Sequence, residues 1–504
     1  MQLIEKVLIE DKASILLVPE ISLTPQTVNR FISRFGKEKI AILHSKLSIG
    51  ERYDEWYKIK NGQAKIIIGA RSAIFAPVEN LGIIIIDEEH DSSYKAGQTP
   101  RYAAKEVARK IAQNANIPLV LGSATPDMES YYRAKNEEIT LLKLNKRANH
   151  ASLPEVEIVD LREELASGNK SMISQKLYDA ISENIIKKKQ TILFLNRRGF
   201  STFVMCRECG YTAKCKNCNI NLTYHVHAGR LKCHYCGYET KVLTTCPECH
   251  SNQIRYFGTG TQKLEAEIQK LFPNATTIRM DTDTISKKNS HEHILKKFQE
   301  EQIDVLIGTQ MVVKGHHFPN VTLVGVIAAD GSLNMDDFRA NEKTFQILTQ
   351  VAGRAGRGEE KGKVIIQTYN PDNFAIECSK KQNYEMFYET EIMLRKQLKY
   401  PPFCDIILIG MTSENQKELT EVATKLYYYL KNRLKKENIG MILYPPVSAP
   451  VDKIKNKIRW RMIIKCKINE QMLDLMEDML QEYFQMKKVK TRISIDINPN
   501  DMAH

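Results

Sequence analysis

The sequence predicts an α/β protein: two parallel-sheet lobes, a cysteine-rich module inserted into the second, and a small α+β ferredoxin-like domain at the C-terminus. Three observations predict it. Short, continuously apolar β-branched runs recur between longer amphipathic stretches, as strands buried on both faces of a parallel sheet require. Eight of the eleven cysteines fall between Cys206 and Cys249. After Pro401 the order of apolar runs changes to that of a split βαβ sheet.

The first lobe, 1–148, is expected to hold strands at 14–18, 65–69, 82–87 and 118–122. The second starts at 149–204 and resumes at 253–372, with strands at 191–195, 303–308, 322–328 and 363–368. The C-terminal domain, 373–504, reads as strand, helix, a short strand near Met441, strand, helix, strand. Between them, 205–252 is dense in Cys, Tyr, Asn and Lys with almost no apolar run, so burial alone cannot hold it.

A chain of 504 residues, 42% hydrophobic and 26% charged, is long enough for several cores and has the composition of soluble globular proteins. No segment approaches the roughly 18 apolar residues that a membrane span needs. Met1 to Lys12 lacks a signal-peptide layout, so the cytoplasm is the expected compartment. A net charge of +13 favours a polyanionic partner, because Lys and Arg displace condensed counterions from phosphate backbones.

The cysteines form four C-x2-C pairs: Cys206/Cys209, Cys215/Cys218, Cys233/Cys236 and Cys246/Cys249. Two thiolates three residues apart bind one metal from a single tight turn, and two such turns complete the tetrahedral sulfur shell of Zn²⁺. Eight thiolates make two closed structural sites. A reducing compartment disfavours disulfides and the polar surroundings disfavour buried free thiols. Spacing leaves sequential, nested and crossed pairing all open. Cys378, Cys404 and Cys466 are isolated and read as core residues.

The run 82–90, GIIIIDEEH, is an apolar strand ending in carboxylates, the layout of a Walker B element. There Asp87 is placed to hold Mg²⁺ and Glu88 to direct the attacking water of ATP hydrolysis. GSATP at 122–126 follows the next apolar strand and sets Ser123 and Thr125 at the same sheet edge, where doubly wound sheets bind ligands. Far downstream, QVAGRAGRG at 350–358 offers Gln350, Arg354 and Arg357 to a γ-phosphate, as arginine fingers do.

Taken in that order across two α/β lobes, these motifs resemble superfamily 2 helicases. LVPEISLTPQ at 17–26, GARSAIFAP at 69–77, NRRG at 196–199 and GTQMVVKGHHFP at 308–319 narrow the resemblance to the primosomal replication-restart helicases of the PriA type, as does the cysteine module within the second lobe. The likeness runs from Leu16 to Pro499. It implies two RecA-like lobes and an ATP-dependent, DNA-stimulated 3′–5′ helicase that binds stalled or repaired forks, in the bacterial cytoplasm at the nucleoid. It also implies contacts with primosome and single-strand-binding proteins. By the same resemblance the zinc pairing is nested, with Cys215, Cys218, Cys233 and Cys236 inside Cys206, Cys209, Cys246 and Cys249.

The chain departs from that family in one respect. The family carries a G-x4-G-K-[ST] phosphate loop shortly before LVPE, and these 504 residues contain no such run. Residues 1–10 look like the helix linking that loop to the LVPE strand, so the chain is expected to start just past the loop, without the family's N-terminal DNA-binding region. Such a chain is expected to hydrolyse ATP poorly or not at all. It is either a fragment, which the intact remaining motifs favour, or a truncated zinc-containing protein that binds DNA and primosome partners without ATPase activity.

Candidate DNA contacts complete the reading. Lys453, Lys455, Lys457, Arg459 and Arg461 alternate with several apolar residues, as on a strand with one cationic face, and serve phosphates or simply face solvent. Tyr94, Lys95, Arg101 and Tyr102 mix aromatics and cations as single-strand stacking loops do. Arg71, Ser72 and Thr309 join them through the family elements that line the single-strand track.

Overall fold

The computed structural model describes residues 1–144, 153–195, 203–225, 229–257, 260–281, 290–309, 312, 318–356, 361–437, 440–486 and 489–502. The chain divides into two compact units, one over Met1–Leu141 and one over most of the remainder.

The first unit is built on five parallel strands, β1 (Ala13–Leu17), β2 (Ile40–Leu43), β3 (Ile66–Gly69), β4 (Leu81–Asp87) and β5 (Leu119–Gly122), in the order β2-β3-β1-β4-β5. Alternation along each strand divides the core. Ile15, Leu17, Ile67, Ile84 and Ile86 face the helix Ala104–Ala115, whose Ala104, Ala108 and Ala112 recur every fourth residue and let it lie close to the sheet. Leu16, Val18, Ile66 and Ile68 face the other way, toward Ile4 of the helix Gln2–Ile9 and Phe31 of the helix Pro25–Phe35. Burying one such Ile contributes about 1.5–3 kcal/mol. Gly69 ends β3 where an added Cβ would lie 2.4 Å from the Leu43 carbonyl oxygen, so only glycine lets the chain turn there into the 3-10 helix Arg71–Phe75.

The second unit contains six parallel strands: β6 (Glu155–Asp160), β7 (Gln190–Phe194), β13 (Thr277–Met280), β14 (Val305–Gly308), β15 (Val321–Val326) and β16 (Lys363–Thr368), ordered β13-β14-β7-β15-β16-β6. Between β7 and β13 lie β8 (Phe203–Cys206), which pairs with β12 (Ile254–Phe257), and a three-stranded antiparallel sheet of β9 (Thr223–His225), β10 (Arg230–Lys232) and β11 (Glu239–Lys241).

The C-terminal sheet holds β17 (Asp405–Ser413), β18 (Ile442–Leu443), β19 (Val447–Ile454), β20 (Lys457–Cys466) and β21 (Arg492–Ile497), all antiparallel. Counting β18 and β19 as one broken strand, the order across the sheet is fourth, first, third, second, that of a ferredoxin-like unit. Ile407, Ile409 and Met411 pack under the helices Gln416–Glu437 and Glu470–Phe484. Ile406, Leu408 and Ile463, on the opposite face, meet Ile220, Leu231 and Tyr235 of the cysteine module. That second contact supplies the module with the apolar cover its own sequence lacks. No helix among the described residues is long and apolar enough to cross a membrane.

Candidate ATP site and cysteine metal centres

Parallel pairing of β4 with β5 sets Asp87 opposite Gly122, so DEEH and GSATP meet at the C-terminal edge of the first sheet. Asp87 opens toward solvent, yet the protein packed around it raises its carboxyl above the ordinary value, while the Glu88 amide, 3.1 Å from Oδ1, pulls it down. A hard cation at this oxygen donor would relieve that penalty, so the residue fits Mg²⁺ chemistry. Glu88 holds φ at +46°, a conformation non-glycine residues adopt at a cost of about 1 kcal/mol and one that clusters at functional sites. His90 joins the two motifs: its Nδ1 lies 2.7 Å from Ser123 Oγ and 3.7 Å from Glu88 Oε2. Ser123 Oγ in turn accepts from the Thr125 amide at 2.9 Å, and Thr125 Oγ1 is buried without a hydrogen-bond partner among the described residues.

Sequence reasoning gave no separate role to Glu89, which locks this edge in place. It is 2% exposed and accepts from the Asp127 amide at 2.8 Å, Ser130 Oγ at 3.0 Å and Lys105 Nζ at 2.8 Å. Asp127 also pairs with Lys105 and caps the helix Met128–Lys135 through the Ser130 amide. The Asp-x-x-Ser spacing at a helix start was a legible signal for that cap. Glu89→Ala removes the acceptor shared by three part-buried donors, of which only Lys105 keeps another, Asp127, and is expected to destabilise the first unit by about 1–3 kcal/mol. A lower urea midpoint at unchanged slope is the readout, and a shift under about 0.5 kcal/mol would refute the lock.

The loop after DEEH departs from its expected role. Tyr94 does not present a ring to bases: it is 2% exposed, and its hydroxyl donates to the Asp87 carbonyl at 2.6 Å. Burial and neighbouring carboxylates push the phenol well above its ordinary pKa, which keeps it a donor. Arg71 spends NH1 on the carbonyls of Ser93 at 3.0 Å and Lys95 at 2.6 Å, clamping the loop, and its guanidinium lies 5.8 Å from the Tyr102 ring. Ser72 is exposed, and Arg101 is half-buried.

The four cysteine pairs share one local fold. In each, the residue after the second cysteine donates its amide to the carbonyl of the first: Gly210 to Cys206, Asn219 to Cys215, Gly237 to Cys233 and His250 to Cys246. All four of these residues have positive φ, between 55° and 78°. Each turn then closes with the first cysteine's amide donating to Tyr211, Ile220, Tyr238 or Ser251. The turns converge in two sets, Cys206, Cys209, Cys246 and Cys249, and Cys215, Cys218, Cys233 and Cys236, the sulfurs of each set lying within 4.8 Å of one another. Within the sets, Cys206 and Cys249 are 3.6 Å apart, Cys209 and Cys246 3.5 Å, and Cys215 and Cys236 3.5 Å. Zn–S bonds of about 2.3 Å put tetrahedral sulfurs about 3.8 Å apart, so both donor sets fit zinc.

In the second unit, Gln350 is half-buried near the end of the helix Ala340–Ala352 and Arg354 follows just beyond it. Arg357, NRRG at 196–199 and 313–317 lie outside the described residues. Thr309 is half-buried at the end of β14. The single cationic strand proposed for Lys453 to Arg461 does not form. Lys455 and Asn456, at φ of 48° and 63°, make the turn of a hairpin, so Lys453 and Lys457 stand on different strands. Lys455 is exposed at the tip, and Lys457 is half-buried. Arg459 donates to the Val451 carbonyl at 3.3 Å. Arg461 is wholly buried and donates from Nε to the His234 carbonyl at 2.9 Å. Of the isolated cysteines, Cys378 and Cys466 are buried and Cys404 is half-buried.

Family models match four stretches of the chain: DEAD/DEAH box helicase at 1–134, PriA DNA helicase Cys-rich region domain at 215–241, helicase conserved C-terminal domain at 240–359 and primosomal protein N C-terminal domain at 396–500. Among curated proteins, the replication restart protein PriA of Bacillus subtilis is 51% identical over 502 residues, covering 99% of this chain and 62% of that protein. Its counterpart in Synechocystis is 45% identical over 90% of this chain and 55% of its own length. The Haemophilus influenzae counterpart is 37% identical over 100% of this chain and 68% of its own. The chain thus spans between 55% and 68% of the length of these relatives. Similarity that extends over both helicase regions, the cysteine module and the C-terminal domain leaves one conclusion: the chain belongs to the PriA family of replication restart proteins.

Proposed function

We propose that the chain supplies the motor, zinc module and C-terminal domain of an ATP-dependent 3′–5′ DNA helicase that binds stalled or repaired forks and restarts replication. The observation that carries this reading is the His90 link between Glu88 and Ser123, which ties a Walker B carboxylate to the hydroxyl motif that follows it. Asp87 would hold Mg²⁺, which when bound with ATP neutralises charge on the phosphate oxygens. Glu88 orients the attacking water. Ser123 and Thr125 pass the state of the ATP site to the DNA-facing loops, and Gln350, Arg354 and Arg357 meet the γ-phosphate.

Ser72, Arg101, Thr309, Lys455, Lys457 and Arg459 are the DNA contacts this reading retains, joined by Arg71 as the clamp of the loop at 91–103. The two zinc ions are structural. Forked and single-stranded DNA, primosome proteins and single-strand-binding protein are the proposed partners, in the bacterial cytoplasm at the nucleoid. Strand displacement from forked duplexes tests the polarity: ATP-dependent release from 3′-tailed substrates is expected, and release from 5′-tailed substrates alone would sink it.

A second reading rests on one observation, that no G-x4-G-K-[ST] run occurs within these residues. Without that loop's amides and lysine, residues 1–504 would bind DNA, zinc and primosome partners with no turnover of ATP.

A further inference from the structure

We infer that the inner cysteine set anchors the helix Ala340–Ala352, so that metal bound by Cys215, Cys218, Cys233 and Cys236 governs where Gln350 and Arg354 lie. Two side chains make the link, and both end on Phe338, just before the helix starts. The Phe338 ring lies flat on Tyr400, centroids 4.6 Å apart and planes 1° from parallel. The Tyr400 hydroxyl donates to the carbonyl of Cys218 at 3.2 Å. Tyr235, between the ligands Cys233 and Cys236, is wholly buried; its hydroxyl accepts from the Phe338 amide at 3.4 Å and its ring meets Tyr400 edge-on at 6.4 Å. Each inner turn therefore reaches the same residue by its own route.

The surroundings hold the stack in place. Lys465 Nζ sits 3.4 Å from the centroid of the Tyr400 ring. Arg395 bonds Glu342 in the first turn of the helix at 2.6 Å and the Pro401 carbonyl beside Tyr400 at 3.2 Å. A metal draws four thiolates to one centre, and without it the Cys218 carbonyl and the Tyr235 hydroxyl have no common reference. The helix then carries any displacement of Phe338 to Gln350, roughly 15 Å from Ala340 at 1.5 Å per residue. The outer set is tied elsewhere: the Cys209 carbonyl accepts from Arg162 at 3.5 Å, and Gly210 lies against the Tyr369 carbonyl after β16. Tyr400 is thus a positioning residue. Its consequence for catalysis rests on the assignment of Gln350 and Arg354 to the γ-phosphate, whereas the mechanical link does not.

Hydrogen exchange read by mass spectrometry on the zinc-loaded protein, without nucleotide, tests it. Tyr400→Leu, with two zincs retained, is expected to speed exchange across 340–352 about tenfold while the helix Gln416–Glu437 stays protected. Tyr400→Phe keeps the stack, loses the bond to Cys218 and should fall between; it decides the matter if Tyr400→Leu does not fold. Cys218→Ser should speed the same helix, and Cys249→Ser should not. Unchanged protection in the Tyr400 and Cys218 variants, or equal loss in Cys249→Ser, overturns the inference. Failure of the γ-phosphate assignment would appear separately, as Arg354→Ala with undiminished ATP turnover and an intact exchange response.

Discussion

Stripping zinc from the protein is expected to unfold the cysteine module and expose one face of the C-terminal sheet. Eight thiol groups converge here on two points, an arrangement that a shared cation in each set would favour strongly. Structural Zn²⁺ sites contribute about 10–16 kcal/mol in isolated zinc-finger peptides. Part of that will be offset here, because Ile220, Leu231 and Tyr235 also pack against Ile406, Leu408 and Ile463. The remaining loss should still amount to several kcal/mol for each ion. Metal analysis should find two zincs per chain and one after Cys218→Ser. Chelation should lower the melting temperature by more than about 10 °C and increase binding of a hydrophobic dye. A metal-free chain that melts with the native one would refute the structural role.

Arg395→Ala is expected to cost about 3–5 kcal/mol. Arg395, Glu342 and Glu391 are all nearly inaccessible, with Arg395 Nε 3.0 Å from Glu391 and NH2 2.6 Å from Glu342. Burial already holds Glu391 above the usual carboxylate range although Arg395 pulls it down. Truncation would leave two carboxylates close together in the interior without the guanidinium they share, and a cavity below the Phe338 ring, 5.3 Å from the guanidinium. Replacing all three charged residues with apolar ones of similar volume should cost far less, because no unpaired charge remains. Equal losses in the two variants, measured by denaturant unfolding, would show that packing rather than charge sets the stability of this cluster.

How far the fold was legible depended on where each strand lies. The interior strands β1, β3, β7 and β14 are covered on both faces and read as continuous apolar runs. Within the two parallel sheets three strands escaped the sequence, and each is a sheet edge: β2, β6 and β13. β6 reads EVEIVD and β13 reads TIRM, with polar residues where solvent reaches, and β2 is only four residues long. Period-two alternation misled at Lys453–Arg461, because it is equally well satisfied by a hairpin whose turn falls on Lys455 and Asn456.

The site followed the same logic. Asp87, Ser123 and the eight cysteines are marked by residue type at fixed spacing, which chemistry dictates. Spacing could not choose the cysteine pairing, which depends on how four separate turns meet in space. Tyr94 was misread because an aromatic residue reads the same whether its loop faces solvent or folds back onto β4. Glu89 and Lys105 are bonded across 16 residues of chain, a contact no local pattern encodes.

ATP hydrolysis by the protein purified from its native source, with and without single-stranded DNA and beside a Glu88→Gln variant, tests the central claim most directly. The predicted result is turnover that requires DNA and falls by about 10²- to 10³-fold in the variant, with DNA affinity and two zincs retained. Turnover that ignores DNA or survives Glu88→Gln would contradict the motor assignment, and DNA binding with no turnover at all would leave the binding-only reading in its place.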